Sequence, residues 1–153
     1  MQYWLMKSEP SCYSIDDLAR DGVEPWDGVR NYQARNLMRD DMQVGDIAFF
    51  YHSNAKEIGI VGLMTIASAA YPDPTQFDKQ EDHYDPKSTK ENPRWLLVDV
   101  KFKQKFTDII PLAVLKNDPA FADMALTQKG MRLSVQPVKE KHYKKIMKMV
   151  GQS

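Results

Sequence analysis

Residues 47–70, which read IAFFYHSNAKEIGIVGLMTIASAA, contain the pattern that decides the fold. Residues 47–51 are apolar without polar alternation, which predicts a strand buried on both faces. Residues 57–70 form a second long apolar stretch, and Gly59 and Gly62 mark positions where a strand bends or another backbone approaches closely. A short segment of turn-forming residues joins the two stretches. The pattern therefore predicts a buried β-hairpin.

The sequence on both sides of this hairpin predicts further strands and helices. Ser14-Ile-Asp-Asp17 has the form of a capping box and begins a short helix, and Asn31 can cap a second helix. Pro111 occupies the helix position that proline tolerates best. The remaining predicted strands are residues 2–6, 94–106 and 131–135, and the predicted helices are residues 14–20, 31–42, 111–116 and 139–150.

Two stretches have the composition of loops. Residues 21–30 contain two glycines and a proline, and residues 71–94 contain four prolines. A loop as long as the second is functional or mobile. The predicted order, β-α-α-β-β-loop-β-α-β-α, lacks the regular βαβ alternation and the glycine-rich turn of a doubly wound nucleotide-binding fold. We predict an α+β fold with a mixed or mostly antiparallel curved sheet, or a small barrel, flanked by helices.

Length and composition fit one globular domain over residues 1–153. The chain has a mass of 17.7 kDa with 42% hydrophobic and 27% charged residues, which excludes a disordered or fibrous class. No apolar run approaches the roughly 20 residues of a membrane helix, and the N-terminus does not resemble a signal peptide. Cys12 is the single cysteine, so no intrachain disulfide can form. We expect a reducing compartment, cytoplasmic or, in a eukaryote, nuclear, and no membrane partner.

The net charge is zero, but the charges are distributed unevenly. Residues 1–100 hold 10 Lys and Arg against 17 Asp and Glu, and residues 101–153 hold 11 against 4. A basic face built from the C-terminal third is one interpretation, and pairing of the two halves on one solvated surface is the other. A uniformly acidic or basic partner is not implied.

The sequence offers little support for a metal site or a catalytic triad. His52, His83 and His142 include no i, i+4 pair of the kind that binds metal on a helix. We expect His83 in a solvated acidic loop and His142 on the surface. Ser53 follows His52 directly, so the two side chains point to opposite faces of a strand and cannot easily act together. Cys12 has no local activating signature, and no metal, cofactor or glycine-rich phosphate loop is predicted.

Polar residues follow several predicted strands at the point where each strand ends. Lys7-Ser8-Glu9 follows the first strand, Arg30-Asn31 follows Trp26, and His52-Ser53-Asn54 ends another strand. If these ends converge, they form a pocket with an apolar floor and a few polar groups, as small-ligand and base sites do. Trp26 lies in a Gly/Pro loop and is either the floor of this pocket or a plug on the core.

Short motifs along the chain resemble the EVE domain family. They are YWLMKSEP at residues 3–10, WDGVRN at 26–31 with ARN at 34–36, MQVGD at 42–46 with FYHS at 50–53, YDPKS at 84–88, and MRLSV at 131–135. These motifs run from residue 3 to residue 135 and the resemblance to about residue 146, so one EVE domain covers nearly the whole chain. The resemblance implies a PUA-like fold, a small mixed barrel with helices around it.

The resemblance also implies a function. The wider group includes YTH readers of methylated adenine and SRA-type readers of modified cytosine, so we expect a non-catalytic module that binds a modified, flipped or unpaired base in DNA or RNA. By this similarity Trp26 stacks on the base. Ser8, Asn31 and Ser53 would contact the edge of the base. The expected pocket also includes Glu9, His52, Arg132 and Ser134, with Tyr51 and Trp95 as residues of an aromatic cage or of the core.

A second reading from another class stays open at this stage. It is an enzyme that acts on a nucleotide or small metabolite with Glu9, His52 or Cys12 in its site. If the protein is a reader, phosphate contacts must supply most of its affinity for a nucleic acid. The available cations lie on the last long strand and the last helix, at Lys101, Lys103 and Lys105 and at Lys141, Lys144, Lys145 and Lys148.

Overall fold

The computed structural model describes residues 1–151, which form eight strands and four α-helices. The strands are β1 (Tyr3–Ser8), β2 (Val23–Pro25), β3 (Ile47–His52), β4 (Gly59–Ile66), β5 (Tyr71–Pro72), β6 (Leu96–Leu97), β7 (Asp99–Pro111) and β8 (Val135–Val138). The helices are α1 (Ile15–Asp21), α2 (Tyr32–Asn36), α3 (Leu112–Asn117) and α4 (Glu140–Met149). Within the described residues, no helix has the length and apolar character needed to cross a membrane.

Six strands form one sheet in the order β2-β7-β4-β3-β1-β8, and β5 pairs separately with β6. Within the described chain, β1 and β3 run parallel and the other pairs are antiparallel. β3 and β4 form the expected hairpin, with Phe49 opposite Leu63. The sheet curls into a half-barrel with helices around it. The predicted α+β fold with a mixed, mostly antiparallel curved sheet is therefore confirmed.

Gly59 and Gly62 allow β7 to lie close to β4, as expected for glycines inside a strand. A Cβ atom on Gly59 would collide with the carbonyl oxygen of Ile110, and a Cβ atom on Gly62 would collide with that of Gln104. The pairing of β4 with β7 also shifts register around Gly62. These two glycines therefore bend the sheet at the point where β7 changes which side chains it buries.

Several strands differ from the sequence prediction, and three of them show why. Residues 23–25, expected within a loop, form the short strand β2 because β7 offers them a pairing edge. β7 starts and ends about five residues later than expected, because its pairing with β4 continues through a polar stretch. β8 begins at Val135, where the expected strand ended, and contains Pro137. Proline is tolerated there because β8 is an edge strand of the sheet.

The sheet has a buried cluster on each face. Successive residues of a strand point to opposite faces of the sheet. Trp4 and Phe50 therefore belong to one cluster, and Leu5 and Phe49 belong to the other. We call these the first face and the second face. Trp26 and α1 pack on the first face, whereas α4 packs on the second face. The sheet therefore lies between Trp26 and the C-terminal helix.

The surface position expected for His142 is wrong. His142 is buried, and so is Ile146, which lies one turn later on α4. The His142 ring packs 5.7 Å from the Phe121 ring, and its Nε2 lies 3.0 Å from Asp123 Oδ1. Residues four apart share one helix face, so His142 belongs to the buried side of a helix whose lysines obscure the pattern.

The long loop of residues 71–94 follows a path fixed by a buried glutamine. The Gln76 side-chain amide donates to the carbonyl oxygens of Asp73 and Trp95, both at 2.7 Å. Its oxygen accepts from Ser88 Oγ at 2.6 Å and from the Trp95 N–H at 3.0 Å. A buried amide with its donors and acceptor satisfied holds its surroundings in one arrangement. The loop carries His83 towards the end of β1.

Candidate functional site

A pocket of about 470 Å³ lies beside the C-terminal end of β1, on the first face of the sheet. Its volume falls in the range of small-ligand sites. Three segments converge there: the end of β1 with the turn that follows it, the end of β2, and the long loop. The lining residues are Lys7, Ser8, Glu9, Cys12, Tyr13, Glu24, Pro25, Trp26, Asp27 and His83.

The wall formed by the end of β1 is a tight hydrogen-bonded turn. Ser8 Oγ donates to the Tyr13 carbonyl oxygen at 2.6 Å. The N–H groups of Cys12 and Tyr13 both donate to the Glu9 carbonyl oxygen at 2.9 Å. The Asn54 side chain donates to Glu9 Oε1 at 3.1 Å. The Ser8 hydroxyl has thus used its proton, and its oxygen is left to accept a hydrogen bond from a ligand.

Trp26 lines the pocket. It is 7% exposed and packs edge-to-face on Phe50, with ring centroids 5.3 Å apart. The other two indole N–H groups donate to carboxylates, Trp4 to Asp46 and Trp95 to Asp85. The indole N–H of Trp26 makes no hydrogen bond within residues 1–151, and it is not among their fully buried unpartnered atoms. Trp26 therefore packs on the core and lines the pocket, and its indole N–H has no acceptor among the described residues.

A buried carboxylate holds the loop behind Trp26. Asp73 accepts hydrogen bonds from Gly28 N at 2.8 Å, Arg30 Nη1 at 3.1 Å and the Thr75 hydroxyl at 2.6 Å. Burial pushes the pKa of Asp73 upward, but these hydrogen bonds outweigh it and hold the pKa below its usual value. Asp73 is therefore ionised, and it ties the Trp26 loop to the long loop.

Three ionisable groups in the pocket lining, Lys7, Glu24 and Asp27, are shifted towards their neutral forms. Burial raises the pKa of the Glu24 carboxyl, and the nearby Asp21 and Asp27 raise it further. Burial also raises the pKa of the partly exposed Asp27, with Asp73 adding to the shift. Burial lowers the pKa of the Lys7 ammonium. The pocket therefore favours hydrogen-bonding groups over strongly charged ones.

His52 has a structural role next to the pocket. Its Nε2 accepts a hydrogen bond from the Ile15 N–H at 3.1 Å, at the start of α1. Burial lowers the pKa of His52, which favours the neutral imidazole that this hydrogen bond requires. Cys12 Sγ lies 3.8 Å from Glu9 Oε2, without a histidine partner among the described residues. Cys12 and His52 therefore do not form a nucleophile–histidine pair.

The structure brings several of the expected site residues together. Ser8, Glu9 and Trp26 line the pocket. Ser53 lies behind Ser8, since its N–H donates to the Ser8 carbonyl oxygen at 3.0 Å. The Ser134 carbonyl oxygen accepts from the Lys7 N–H at 2.9 Å, which places the segment containing Arg132 beside the same strand end. These three residues are neighbours of the pocket but not part of its lining.

Asn31, Tyr51 and Trp95 lie outside the pocket lining. The Asn31 side chain accepts from Ala34 N at 3.0 Å and so caps α2, as its sequence position predicts. Tyr51 belongs to the cluster on the second face, because it is one residue from Phe50 along β3. Trp95 packs on Tyr32 with centroids 4.7 Å apart.

Four residues of the pocket lining were not predicted from the sequence: Tyr13, Glu24, Asp27 and His83. Asp27 directly follows Trp26, so the loop position that predicts Trp26 in the site could also have predicted Asp27 there. Glu24 and Tyr13 enter through the pairing of β2 and the turn after β1. His83 arrives from the long loop, and its imidazole packs on Gly28, where a Cβ atom would lie 2.7 Å from His83 Cε1. No local pattern in the sequence indicates that contact.

The expected phosphate-binding lysines divide into paired and unpaired groups. On α4, which packs on the second face, Lys141 lies 2.8 Å from Asp123, and Lys144 and Lys145 lie 3.7 and 3.9 Å from Glu140 and Asp118. On β7, Lys105 lies 2.7 Å from Asp16. Within residues 1–151 the exposed Lys101 and Lys103 have no ion-pair partner. Their role in phosphate binding stays a prediction.

Metal-ligating side chains do not converge in the part of the chain that the structure describes. Among residues 1–151, no three His, Cys, Asp or Glu side chains are grouped so that they could hold a metal ion.

The family of the chain follows from its sequence as a whole. The EVE domain model matches residues 2–149. The chain belongs to the EVE domain family. Thymocyte nuclear protein 1 from Homo sapiens is 46% identical over 160 residues, which cover 92% of this EVE domain chain and 70% of the human protein. The predicted family is thus confirmed.

Solved structures of similar proteins share the fold. A crystal structure of a Pseudomonas syringae protein is 46% identical, covers 97% of this chain and 99% of its own, and has a TM-score of 0.94. A crystal structure of human THYN1 in complex with DNA that contains 5-methylcytosine is 42% identical and has a TM-score of 0.92. That alignment covers 100% of this chain and 99% of the human one.

Proposed function

We propose that this EVE domain binds DNA and reads a methylated base, which it holds in the pocket over Trp26. The observation that carries the proposal is the free indole N–H of Trp26 in a pocket of about 470 Å³, where the other two indoles are bound to carboxylates. The human relative crystallised with 5-methylcytosine DNA supports DNA as the partner. The name of that relative indicates a nuclear protein.

The pocket offers three kinds of contact to a base. Stacking on an aromatic side chain contributes about 1–3 kcal/mol per base. A methyl group buried against the apolar floor adds about 0.8 kcal/mol, which favours the methylated form. Glu24 and Asp27 can accept a hydrogen bond from the exocyclic amino group of cytosine or adenine. The Ser8 oxygen can accept a hydrogen bond from a second N–H of the base. These terms favour a modified base with an amino group, whereas the affinity for the strand must come from phosphate contacts.

Binding, rather than catalysis, is the activity that this geometry supports. His52 Nε2 accepts a hydrogen bond from the Ile15 N–H, and Cys12 Sγ contacts the Glu9 carboxylate, so Cys12 and His52 do not form a catalytic pair. The aromatic floor would also accept an unpaired RNA base, since such bases are held by stacking and edge contacts. DNA is the partner we propose, and the binding experiment below includes RNA as a comparison.

The test replaces Trp26 by Ala and by Phe and measures binding to matched oligonucleotides. Each DNA duplex carries 5-methylcytosine or cytosine at one position, and RNA of the same sequence forms the third arm. We expect Trp26→Ala to abolish the preference for the methylated DNA, and Trp26→Phe to retain part of it because the ring remains. Trp4→Phe is the matched control, since Trp4 packs on the same face but donates its indole N–H to Asp46.

A thermal melt of each variant separates a pocket role from a packing role. If Trp26 is only a plug on the core, Trp26→Ala costs about 3–5 kcal/mol of stability. In that case Trp26→Ala and Trp4→Phe would both lower the melting temperature. The protein that stays folded in each variant would still prefer methylated DNA as the wild type does. A wild-type protein that binds methylated and unmethylated DNA equally would refute the proposed function.

A further inference from the structure

A stack of aromatic and guanidinium groups lies next to the pocket. Arg30 lies over the Trp95 ring at 5.5 Å, Trp95 stacks on Tyr32 at 4.7 Å, and Arg35 lies over Tyr32 at 4.7 Å. Tyr32 is 50% exposed, although it is a large aromatic residue. We call Arg30, Trp95, Tyr32 and Arg35 the arginine stack. Arg35 forms the outer end of the stack, over the Tyr32 ring.

The Arg35 guanidinium is oriented but not neutralised. Its Nε and Nη2 donate to Asn36 Oδ1 at 3.1 and 2.9 Å, and its Nη1 donates to the Arg94 carbonyl oxygen at 2.9 Å. Arginine has five N–H donors, so donors on the terminal nitrogens are left for a ligand. No carboxylate among residues 1–151 lies within ion-pair distance of Arg35. The side chain is thus held in place as an unpaired cation.

Arg94 is a second arginine whose backbone lies next to the Arg35 side chain. It is half-buried, its carbonyl oxygen contacts Arg35, and its guanidinium forms no ion pair within the described chain. The arginines at three other positions are paired: Arg20 with Asp17 and Asp21, Arg30 with Asp73, and Arg39 with Asp40. Asp40 and Asp85 are near enough to act electrostatically on Arg35 and Arg94, but neither forms an ion pair with them, so both guanidinium groups are open to an anion.

Direct contacts connect this surface to the pocket. The Arg30 guanidinium donates twice to the His83 carbonyl oxygen, at 3.0 and 2.7 Å, and His83 lines the pocket. Arg30 is at the same time the first layer of the arginine stack. A strand with one nucleotide in the pocket would therefore pass Arg35 and Arg94 with its neighbouring nucleotides. The lysines of α4, in contrast, lie behind the sheet.

From these observations we infer that Arg35 and Arg94 bind the phosphodiester backbone of the DNA strand on one side of the pocket. The inference rests on the proposed function and extends it to a part of the molecule that the base does not touch. A guanidinium held flat by an aromatic ring is suited to a phosphate because its paired N–H groups match two phosphate oxygens. Phosphate contacts carry no base identity, so these arginines contribute affinity and salt dependence, not the preference for a methylated base.

The experiment measures DNA binding against salt concentration for Arg35→Gln, Arg94→Gln and the double variant. We expect the double variant to bind methylated and unmethylated duplexes roughly tenfold more weakly, with the ratio between the two unchanged. The slope of log affinity against log salt should fall in magnitude by about 0.9 for each phosphate that the variant no longer neutralises. Arg39→Gln is the matched control, because Arg39 follows the same helix and is paired with Asp40. It should leave affinity and slope unchanged.

Arg94→Gln keeps the experiment decisive if Arg35→Gln fails to fold, because Arg94 contributes only its backbone oxygen to the arrangement around Arg35. A wild-type slope in Arg94→Gln and in every folded Arg35 variant would overturn the inference. So would loss of the slope in a Lys101→Gln, Lys103→Gln double variant while the arginine variants bind normally. A reduced slope in a protein without any preference for methylated DNA would refute the proposed function but support the phosphate contact.

Discussion

At the scale of single residues, Gly28 sets the distance between Trp26 and the opposite wall of the pocket. Its N–H donates to Asp73, its backbone has a φ of 80°, and the His83 imidazole lies where a side chain would begin. A residue with a Cβ atom would meet both backbone strain and the His83 ring. Two independent constraints therefore require glycine two residues after the tryptophan.

Gly28→Ala is expected to weaken base binding beyond its effect on stability. Gly22→Ala is the matched control, because Gly22 has a φ of 79° and nothing within 4 Å of its Cβ position. Both changes should cost about 1–2 kcal/mol through backbone strain at a positive φ, and Gly28→Ala adds the collision with the His83 ring. Chemical denaturation measures that cost, and a DNA titration shows which variant alters the pocket. Equal DNA binding by the two variants would mean that the contact between His83 and Gly28 does not shape the site.

At the scale of elements, α1 is attached to the sheet by its first turn. Ser14 and Asp17 form the capping box that the sequence predicts, with hydrogen bonds of 3.1 and 2.9 Å between side chain and backbone. The next N–H, that of Ile15, donates to His52 Nε2 on β3. A free helix N–H is thus satisfied by a histidine that must stay neutral.

This attachment predicts that stability falls as the pH drops below about 6.5, the usual histidine pKa. The pKa of His52 is lower in the folded protein, so the unfolded chain takes up the proton first as the pH falls. The contribution of His52 to the free energy of unfolding is complete above the pKa that His52 has in the unfolded chain. It is lost as the pH falls towards the lower pKa that His52 has in the folded protein. Unfolding by denaturant from pH 8 to pH 5 measures the loss, which should be smaller in His52→Leu. An equal loss of stability in His52→Leu would contradict this prediction.

At the scale of the whole molecule, five of the 11 lysines and arginines in residues 101–153 form ion pairs with acids. Lys139 and Lys141 pair with Asp123, and Lys144 pairs with Glu140. The contact of Lys105 with Asp16 is a pair between the acidic and basic parts of the chain. Exposed pairs of this kind add little stability, but they remove the excess positive charge from the surface of α4.

The whole chain is therefore expected to bind unmodified DNA weakly at physiological salt. With a net charge of zero, it lacks a broad attraction for phosphates. We expect a dissociation constant of about 10⁻⁴ to 10⁻⁶ M for an unmodified duplex, which is the usual range of non-specific binding. Fluorescence anisotropy titrations at several salt concentrations measure it. Nanomolar binding of unmodified DNA would show that the phosphate contacts are more extensive than Arg35 and Arg94.

The sequence by itself determined the hairpin of β3 and β4, the caps at Ser14 and Asn31, and the family. These depend on residues close together in the chain, whose patterns report local conformation. The burial of His142 was not determined, because the lysines around it mask the helix face that packs on the sheet. The position of β7 was also missed, since pairing with β4 carried the strand through residues without an apolar pattern.

Only the tertiary structure decided which strand-end residues meet in the pocket. Ser8 and Trp26 come together, while Asn31 and Trp95 contribute to a separate helix cap and aromatic stack, and Tyr51 faces the other side of the sheet. The face to which a strand residue points depends on its position in the two-residue repeat of the strand. A single bulge moves every later side chain to the opposite face. The path of the long loop depends on Gln76 and Asp73, whose partners lie far away in the sequence. Contacts between distant residues, which no local pattern encodes, therefore assembled the site.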